Sequence, residues 1–140
     1  MNKCGNLLLC LVVCLIFAGS AQAEAIYHEK FYPKGTGPFP AVIALHTSGG
    51  FKTVKHLIKR YVDDGFAVYA PDFFKKHGLT PRNRMETFST HRQAIERELS
   101  EIIKLMKNDP KIESKNVFAT GFSNGGFWVC YLTGTSQVSA

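Results

Sequence analysis

The chain has 140 residues, of which 45% are hydrophobic and 20% are charged. This balance is typical of a globular protein and excludes an intrinsically disordered chain. The formal net charge is +6, but the basic residues are scattered and form no stripe with interleaved aromatic side chains. The composition therefore gives no support for nucleic-acid binding, and the length predicts one domain or part of one.

The first 23 residues predict a cleaved signal peptide. Lys3 supplies the positive charge, residues 7–18 form an apolar run with two cysteines, and Ala21 and Ala23 match the pattern of a cleavage site. A membrane anchor needs about 20 apolar residues, and both cysteines follow large residues where a lipoprotein signal has a small one. We expect a secreted or periplasmic protein, with residues 24–140 as the mature chain and no membrane attachment after cleavage.

The mature chain alternates strand and helix patterns. Short apolar runs rich in β-formers predict strands at 26–32, 41–45, 66–70 and 116–120, and 138–140 predicts the opening of another strand. Apolar residues at helical spacing predict helices at 52–64, ended by Gly65, and from 124 to about 133. Residues 73–82 are predicted to form a loop, with Asp72 capping it. This alternation predicts an α/β protein with a mostly parallel sheet.

The most regular helical pattern lies between residues 83 and 108. Asn83 and Glu86 are spaced like a capping box, and an Asn-Asp-Pro sequence ends the pattern. The apolar face of this helix consists of Phe88, Ile95, Leu99, Ile102 and Met106. His91 lies beside that face and is expected to be a packed residue. Cys130, the only cysteine after residue 23, predicts no internal disulfide and is expected to be a small core residue.

The sequence Gly-Phe-Ser-Asn-Gly at 121–125 matches the pattern G-x-S-x-G between a predicted strand and a predicted helix. This context is typical of a nucleophile elbow, in which a strained turn exposes a serine hydroxyl at the end of a sheet. The glycines avoid clashes where strand and helix approach closely. Ser123 is therefore the candidate nucleophile, and a plain strand-to-helix turn is the alternative interpretation.

A second polar loop, His-Thr-Ser-Gly-Gly at 46–50, follows an earlier predicted strand. An oxyanion hole takes one N–H from the residue after the nucleophile and one from such a loop. Asn124 is the candidate for the first N–H. Ser48 is the preferred candidate for the second, with Thr47 as the alternative. His46 is expected to brace this loop, since this fold supplies its catalytic base after the nucleophile.

Nucleotide and metal sites find no support in the sequence. Phe51 separates Gly50 from Lys52 where a Walker A loop needs Gly directly before Lys, and no G-x-G-x-x-G follows a strand. The remaining histidines form no metal-ligand spacing with one another or with Cys130. We expect no cofactor and no metal.

Three segments resemble the dienelactone hydrolase family of the α/β-hydrolase superfamily. They read Phe-Pro-Ala-Val-Ile-Ala-Leu-His at 39–46, Gly-Phe-Ala-Val-Tyr-Ala-Pro-Asp at 65–72, and Gly-Phe-Ser-Asn-Gly-Gly at 121–126. The resemblance covers residues 31–140. It implies an α/β-hydrolase fold with helices on both faces of a mostly parallel sheet, a nucleophile at Ser123, and hydrolysis of a small-molecule ester or lactone.

Two departures from the family pattern shape the expected function. Dienelactone hydrolases proper carry cysteine at the elbow, so Ser123 favours a broader serine esterase or a peptidase-like branch. The family also places an acid and a histidine after later strands, beyond Ala140. We therefore expect residues 24–140 to be the N-terminal part of the domain, ending soon after the helix that follows Ser123.

Without an acid and a base, residues 24–140 are expected neither to fold stably nor to turn over substrate. A cooperative melt and Ser123-dependent esterase activity of that segment would contradict this expectation. A non-catalytic secreted binding module and a serine peptidase on the same fold remain the alternatives to an esterase. The sequence leaves the oligomeric state open.

Overall fold

The computed structural model describes residues 27–139. The predicted signal peptide at 1–23 lies outside the described residues, as does Ala140. The strands are β1 (His28–Phe31), β2 (Phe39–Leu45), β3 (Ala67–Pro71) and β4 (Ile112–Gly121). The helices are α1 (Lys55–Asp63), α2 (Phe73–Lys76), α3 (Arg92–Asn108) and α4 (Asn124–Gly134), with 3₁₀ turns at Phe51–Thr53 and Arg84–Phe88.

The four strands form one sheet in the order β1-β3-β2-β4. β2 is parallel to both β3 and β4, and β1 is antiparallel to β3. Leu45 at the end of β2 pairs with Gly121 at the end of β4. The loops that leave these two strands therefore start side by side at the same edge of the sheet.

Helices cover both faces of this sheet, as predicted. One face packs Ile43, Leu45 and Tyr69 against α3 and α4. The other face packs Ala44 and Val68 against α1. Successive residues of a strand point to opposite faces, and β2 and β3 are apolar on both faces, as strands between two helical layers must be. The predicted α/β fold with a mostly parallel sheet is confirmed.

Several predicted boundaries shift by a few residues. The predicted helix at 52–64 begins as a 3₁₀ turn and becomes α1, and Gly65 ends it with a φ of 90°. β4 begins four residues before the predicted strand at 116–120. The predicted loop at 73–82 contains α2, where the Asp72 carboxylate accepts a hydrogen bond from the Lys75 N–H at 3.0 Å. The predicted capping role of Asp72 is confirmed.

The predicted capping box at Asn83 and Glu86 is wrong. The Asn83 side chain accepts hydrogen bonds from the backbone N–H and the hydroxyl of Thr80, at 2.7 and 2.8 Å. It therefore makes no capping bond to the turn that follows, and Arg84–Phe88 adopts a 3₁₀ conformation. The α-helix begins at Arg92, so Phe88 lies before it rather than on its apolar face.

Two predictions near the C-terminal end are also corrected. Residues 138 and 139 form no strand, although the Ser139 N–H donates to the Val117 carbonyl of β4 at 2.7 Å. Cys130 is exposed rather than part of the core. The reason is helical geometry: α4 buries Asn124, Trp128 and Leu132 at a spacing of four residues, and Cys130 is two residues from the nearest of them, on the opposite side.

A tyrosine–aspartate cluster links the segment before β4 to β3 and to the residue that follows β1. Asp109 lies three residues before β4, and its Oδ2 accepts hydrogen bonds from the hydroxyls of Tyr32 and Tyr69, both at 2.5 Å. Burial alone would raise the pKa of Asp109, but the two hydroxyls and the Lys111 N–H stabilise the carboxylate and hold its pKa below the ordinary value. Burial and the carboxylate raise the pKa of both tyrosines.

Candidate active site

Ser123 occupies a strained turn between β4 and α4. Its φ is 53° and its ψ is −117°, a backbone conformation that costs about 1–3 kcal/mol in a residue with a side chain. The side chain is exposed and makes no capping hydrogen bond to α4, although Ser123 stands at the N-cap position. The turn therefore presents a free hydroxyl at the carboxyl end of the sheet, as the G-x-S-x-G pattern predicts.

The glycines of the motif are required by close backbone contacts. A Cβ on Gly121 would lie 2.7 Å from the carbonyl carbon of Gly125, and a Cβ on Gly125 would lie 2.2 Å from the Leu45 carbonyl oxygen. A Cβ on Gly126 would meet nothing closer than the Gly121 oxygen, at 3.5 Å. The first turn of α4 thus packs directly on the end of β2, where the loop at 46–50 begins.

The backbone N–H groups of the loop at 46–50 differ in whether they already donate a hydrogen bond. The Thr47 N–H donates to Thr53 Oγ1 at 3.1 Å, and the Gly49 N–H donates to Thr47 Oγ1 at 3.1 Å. The Gly50 N–H donates to the Thr47 carbonyl. The Ser48 N–H has no acceptor among residues 27–139. Thr47, the alternative donor predicted from the sequence, therefore has no free N–H, whereas Ser48 does.

Asn124 combines a free backbone amide with a buried side chain. It is the first residue of α4, so its N–H has no partner within the helix, and no acceptor for it lies among the described residues. Its side chain is 3% exposed, and Nδ2 donates to Thr87 Oγ1 at 3.2 Å. Its Oδ1 is buried without a hydrogen-bond partner. The α4 dipole adds positive potential at this amide.

His46 braces the loop, as predicted. Its ring is fully buried, stacked on Phe73 with centroids 3.9 Å apart. Because the Thr47 carbonyl can only accept, Nδ1 donates its proton across 2.8 Å, and Nε2 carries the lone pair 3.6 Å from Asp72 Oδ1. Burial lowers the pKa of His46, although the Thr47 bond and the Asp72 charge oppose this. The imidazole is therefore fixed between the Phe73 ring and the Thr47 carbonyl.

The segment that precedes α3 packs against both α3 and the first turns of α4. Glu98 of α3 pairs with Lys76 Nζ at 3.1 Å and with His77 Nε2 at 3.0 Å. The Phe88 ring contacts the Phe127 ring of α4, with centroids 4.7 Å apart. His91, predicted to pack near the helix face, lies beside His77 at 4.7 Å. The Phe88–Phe127 contact holds the 3₁₀ turn that carries Thr87 against α4.

A metal cluster and a membrane-spanning helix are both absent from the described residues. No group of three histidine, cysteine, aspartate or glutamate side chains between residues 27 and 139 could hold a metal ion. In the same range, no helix is long and apolar enough to cross a membrane.

The structure brings most of the predicted site residues to one edge of the sheet and adds two that the sequence did not indicate. Ser123, Asn124 and Ser48 all follow the ends of β4 and β2. Thr53 shapes the loop at 46–50, and Thr87 holds the Asn124 side chain. Thr87 bonds to a residue 37 positions away, and no local pattern in the sequence signals such a contact.

Two solved structures share this fold. The structure of 2,6-dihydroxy-pseudo-oxynicotine hydrolase superposes with a TM-score of 0.62 at 20% identity, over 80% of this chain and 31% of that one. A protein assigned to the dienelactone hydrolases, from Klebsiella pneumoniae subsp. pneumoniae, superposes with a TM-score of 0.57 at 19% identity, over 72% of this chain and 45% of that one. The chain thus spans less than half the length of either structure.

Comparison of sequences points to one family. No curated protein matches the chain. The model of the dienelactone hydrolase family matches residues 28–140, which include the whole sheet, the loop at 46–50 and the turn at Ser123. The chain therefore belongs to the dienelactone hydrolase family.

Proposed function

We propose that the protein is a serine hydrolase that cleaves carboxylic esters or lactones through an acyl-enzyme at Ser123. The observation that carries this proposal is the strained backbone of Ser123, with φ at 53° and its hydroxyl free and exposed at the start of α4. Strain of this kind persists only where the surrounding structure enforces it, and it concentrates at functional sites. The close backbone packing of Gly125, two residues after Ser123, on Leu45 supports such enforcement here.

The Ser48 and Asn124 amides are the proposed oxyanion donors. Both lack an acceptor among the described residues and both follow strands that end side by side. Donors fixed before the reaction stabilise the negative charge of a tetrahedral intermediate without reorganisation. The bonds from Thr47, Gly49 and Gly50 to acceptors within the loop support Ser48 as the donor, because they leave its N–H as the available one.

The proposed reaction is acyl transfer in two steps. A base takes the Ser123 proton while Oγ attacks the ester carbonyl, and collapse of the intermediate releases the alcohol, which takes up that proton. Water then attacks the acyl-enzyme, its proton passes to the base, and the carboxylic acid leaves with Ser123 restored. His46 is buried and committed to Thr47, so we assign the base to a histidine oriented by an acid, both beyond Ala140. The reaction requires no cofactor.

Steady-state kinetics test this proposal. They use the protein produced from the complete reading frame that contains this sequence, here termed the full-length protein. Nitrophenyl esters and simple lactones are the substrates. Ser123→Ala should lower kcat by at least about 10³-fold, since removing a triad nucleophile leaves little but binding and the oxyanion hole. Ser136→Ala is the matched control, because Ser136 is also an exposed serine with positive φ, at 55°. Turnover that survives Ser123→Ala would refute the proposal.

Export is a separate part of the proposal. The pattern of Lys3, the apolar run at 7–18 and the alanines at 21 and 23 supports cleavage after Ala23. N-terminal sequencing of the protein recovered from the periplasm or the medium should begin at Glu24. Recovery of the protein only inside the cell with Met1 retained would contradict it.

A further inference from the structure

Thr87 is one of three polar residues that are buried within residues 27–139, together with His46 and Asn124. It is fully buried in the 3₁₀ turn before α3, and no step of the proposed reaction uses it. Its hydroxyl oxygen accepts the Asn124 Nδ2 hydrogen at 3.2 Å. Thr87 therefore contacts the residue whose backbone amide is a proposed oxyanion donor.

The hydroxyl of Thr87 has a fixed orientation. It donates to the Arg84 carbonyl at 2.5 Å, which directs the remaining lone pairs of its oxygen away from Arg84 and leaves one for Asn124. A hydrogen bond buried away from water is stronger than one at the surface, and successive bonds of this kind reinforce one another. The chain from Asn124 to Thr87 to Arg84 thus anchors the start of α4 to the 3₁₀ turn.

The buried amide of Asn124 lowers the stability of the fold unless one of its hydrogen bonds compensates for the loss. Its Oδ1 is buried without a partner, which costs about 1–3 kcal/mol relative to a satisfied group. An apolar side chain could fill the same space without that penalty. The retained amide is explained if its bond to Thr87 fixes the backbone of the first helical residue.

Phe88 strengthens the same connection. Its ring packs on Phe127 at 4.7 Å and lies 6.3 Å from Trp128, both on α4. The 3₁₀ turn is therefore held to α4 by an aromatic contact as well as by the hydrogen bond. Phe88 fixes the distance between the two segments, and Thr87 fixes the rotation of the Asn124 side chain.

We propose that Thr87 is a positioning residue of the oxyanion hole, acting through the Asn124 side chain to orient the Asn124 N–H. This inference rests on the proposed function, since it assigns a role in that same site. Misplacing a catalytic group by about 1 Å can cost 100-fold in rate. Loss of the Thr87 hydroxyl should therefore reduce transition-state stabilisation while leaving substrate binding nearly unchanged.

The test compares Thr87→Val, which keeps the shape but removes the hydroxyl, with Thr87→Ser, which keeps the hydroxyl, in the full-length protein. We expect Thr87→Val to lower kcat by about 10- to 100-fold, less than the loss of a whole oxyanion donor, with KM within about twofold. Thr87→Ser should recover most of this loss. Thr133→Val, an exposed substitution on α4, should change neither constant. If Thr87→Val does not melt cooperatively, Thr87→Ala replaces it.

Nuclear magnetic resonance gives a second readout that does not depend on turnover. The backbone and side-chain N–H signals of Asn124 should shift in Thr87→Val, return towards wild type in Thr87→Ser, and stay unchanged in Thr133→Val. If the enzyme shows Ser123-dependent turnover and Thr87→Val leaves kcat unchanged, the positioning role is overturned while the proposed function stands. If Ser123-dependent turnover is absent, the proposed function fails, and unshifted Asn124 signals in Thr87→Val would then overturn the positional claim as well.

Discussion

The two ends of the parallel strands differ in whether their polar groups are hydrogen-bonded. At the amino ends, the Asp109 carboxylate accepts hydrogen bonds from Tyr32 and Tyr69 and from the Lys111 N–H. At the carboxyl ends, the amides of Ser48 and Asn124 have no acceptor among the described residues, and the Asn124 Oδ1 is buried without a partner. Polar groups are paired at one end, whereas at the other end two backbone amides and one buried side-chain oxygen have no partner among residues 27–139.

Backbone strain follows the same division. Ser123, with φ at 53°, lies at the carboxyl end, where Gly125 and Leu45 are too close for any side chain. Strain and unsatisfied polar groups both oppose folding, so their coincidence at one edge of the sheet requires support from the rest of the fold. The comparison teaches that strain and unpaired polar groups gather at the edge of the sheet where the proposed active site lies.

The largest expected effect comes from breaking the backbone contact at the carboxyl end. Gly125→Ala would place a Cβ 2.2 Å from the Leu45 carbonyl oxygen, and neither backbone can move away without disturbing the sheet. We expect a loss of about 3 kcal/mol or more in the free energy of unfolding of the full-length protein. Urea denaturation measures this loss.

Gly126→Ala is the control for that substitution. Its Cβ would lie 3.5 Å from the Gly121 oxygen, an ordinary contact. Because alanine favours a helix over glycine by about 1 kcal/mol, its free energy of unfolding should stay equal or rise. Equal losses in the two variants would show that the close approach at Gly125 has no special role.

The next largest effect concerns the amino end. Asp109→Asn removes the charge that strengthens the two tyrosine hydrogen bonds and should lower the free energy of unfolding by about 2 kcal/mol at neutral pH. Asp64→Asn is the control, since Asp64 is exposed and lies 4.0 Å from Arg60, a pair worth at most about 1 kcal/mol.

The pH dependence of this difference follows from the lowered pKa of Asp109. The stabilisation is fully present above the ordinary value of 3.8 and is lost as the pH falls through the lower pKa of the folded state. Wild type and Asp109→Asn should therefore converge in free energy of unfolding under strongly acidic conditions. A difference that stays constant with pH would show that the carboxylate charge does not stabilise the cluster.

A smaller effect on stability is expected when the backbone strain at Ser123 is relieved. Ser123→Gly relieves the strain of the positive φ, but glycine also makes the unfolded chain more flexible, which partly offsets this gain. The net free energy of unfolding should rise by about 1 kcal/mol. Ser123→Ala should not raise the free energy of unfolding, because alanine keeps a Cβ in the same backbone conformation. Ser136→Gly should also stabilise, since the φ of Ser136 is 55°, but it should leave turnover intact. A neutral or destabilising Ser123→Gly would remove the argument from strain.

The smallest expected effect is the pH dependence of stability that comes from the buried His46 imidazole. Since burial lowers the pKa of His46, the unfolded chain takes up a proton below its ordinary value of 6.5 before the folded protein does. The free energy of unfolding should fall as the pH drops from 6.5, by less than about 1 kcal/mol over the first pH unit from this residue. Urea denaturation at a series of pH values should show a smaller slope in His46→Gln, and an unchanged slope would contradict this prediction.

The sequence predicts the strands and the nucleophile turn because both depend on local patterns. Continuous apolar runs produce β2 and β3, and the glycines at 121 and 125 report the close packing beside Ser123. The side of α4 that Cys130 occupies depends instead on which face of the helix meets the sheet. The capping box at Asn83 failed because Thr80 competes for the same side-chain oxygen.

Side-chain hydrogen bonds between separate segments account for the rest of what the sequence did not indicate. The sequence already favoured Ser48 over Thr47, but the bond that occupies the Thr47 amide, to Thr53 Oγ1, is visible only in the structure. The contact of Thr87 with Asn124 joins segments 37 residues apart. Neither residue type nor spacing encodes such contacts, because they arise only when the chain has folded. The motif indicated Ser123 and Asn124 as candidates, whereas no pattern in the sequence indicated Thr53 or Thr87.

Covalent labelling tests the central claim most directly. The full-length protein is treated with a fluorophosphonate, which reacts only with an activated serine, and the modified peptide is identified by mass spectrometry. The account predicts one equivalent of label on Ser123, lost in Ser123→Ala and kept in Ser136→Ala. A folded protein that takes no label, or that carries the label elsewhere and keeps it in Ser123→Ala, would contradict the assignment of Ser123 as the nucleophile.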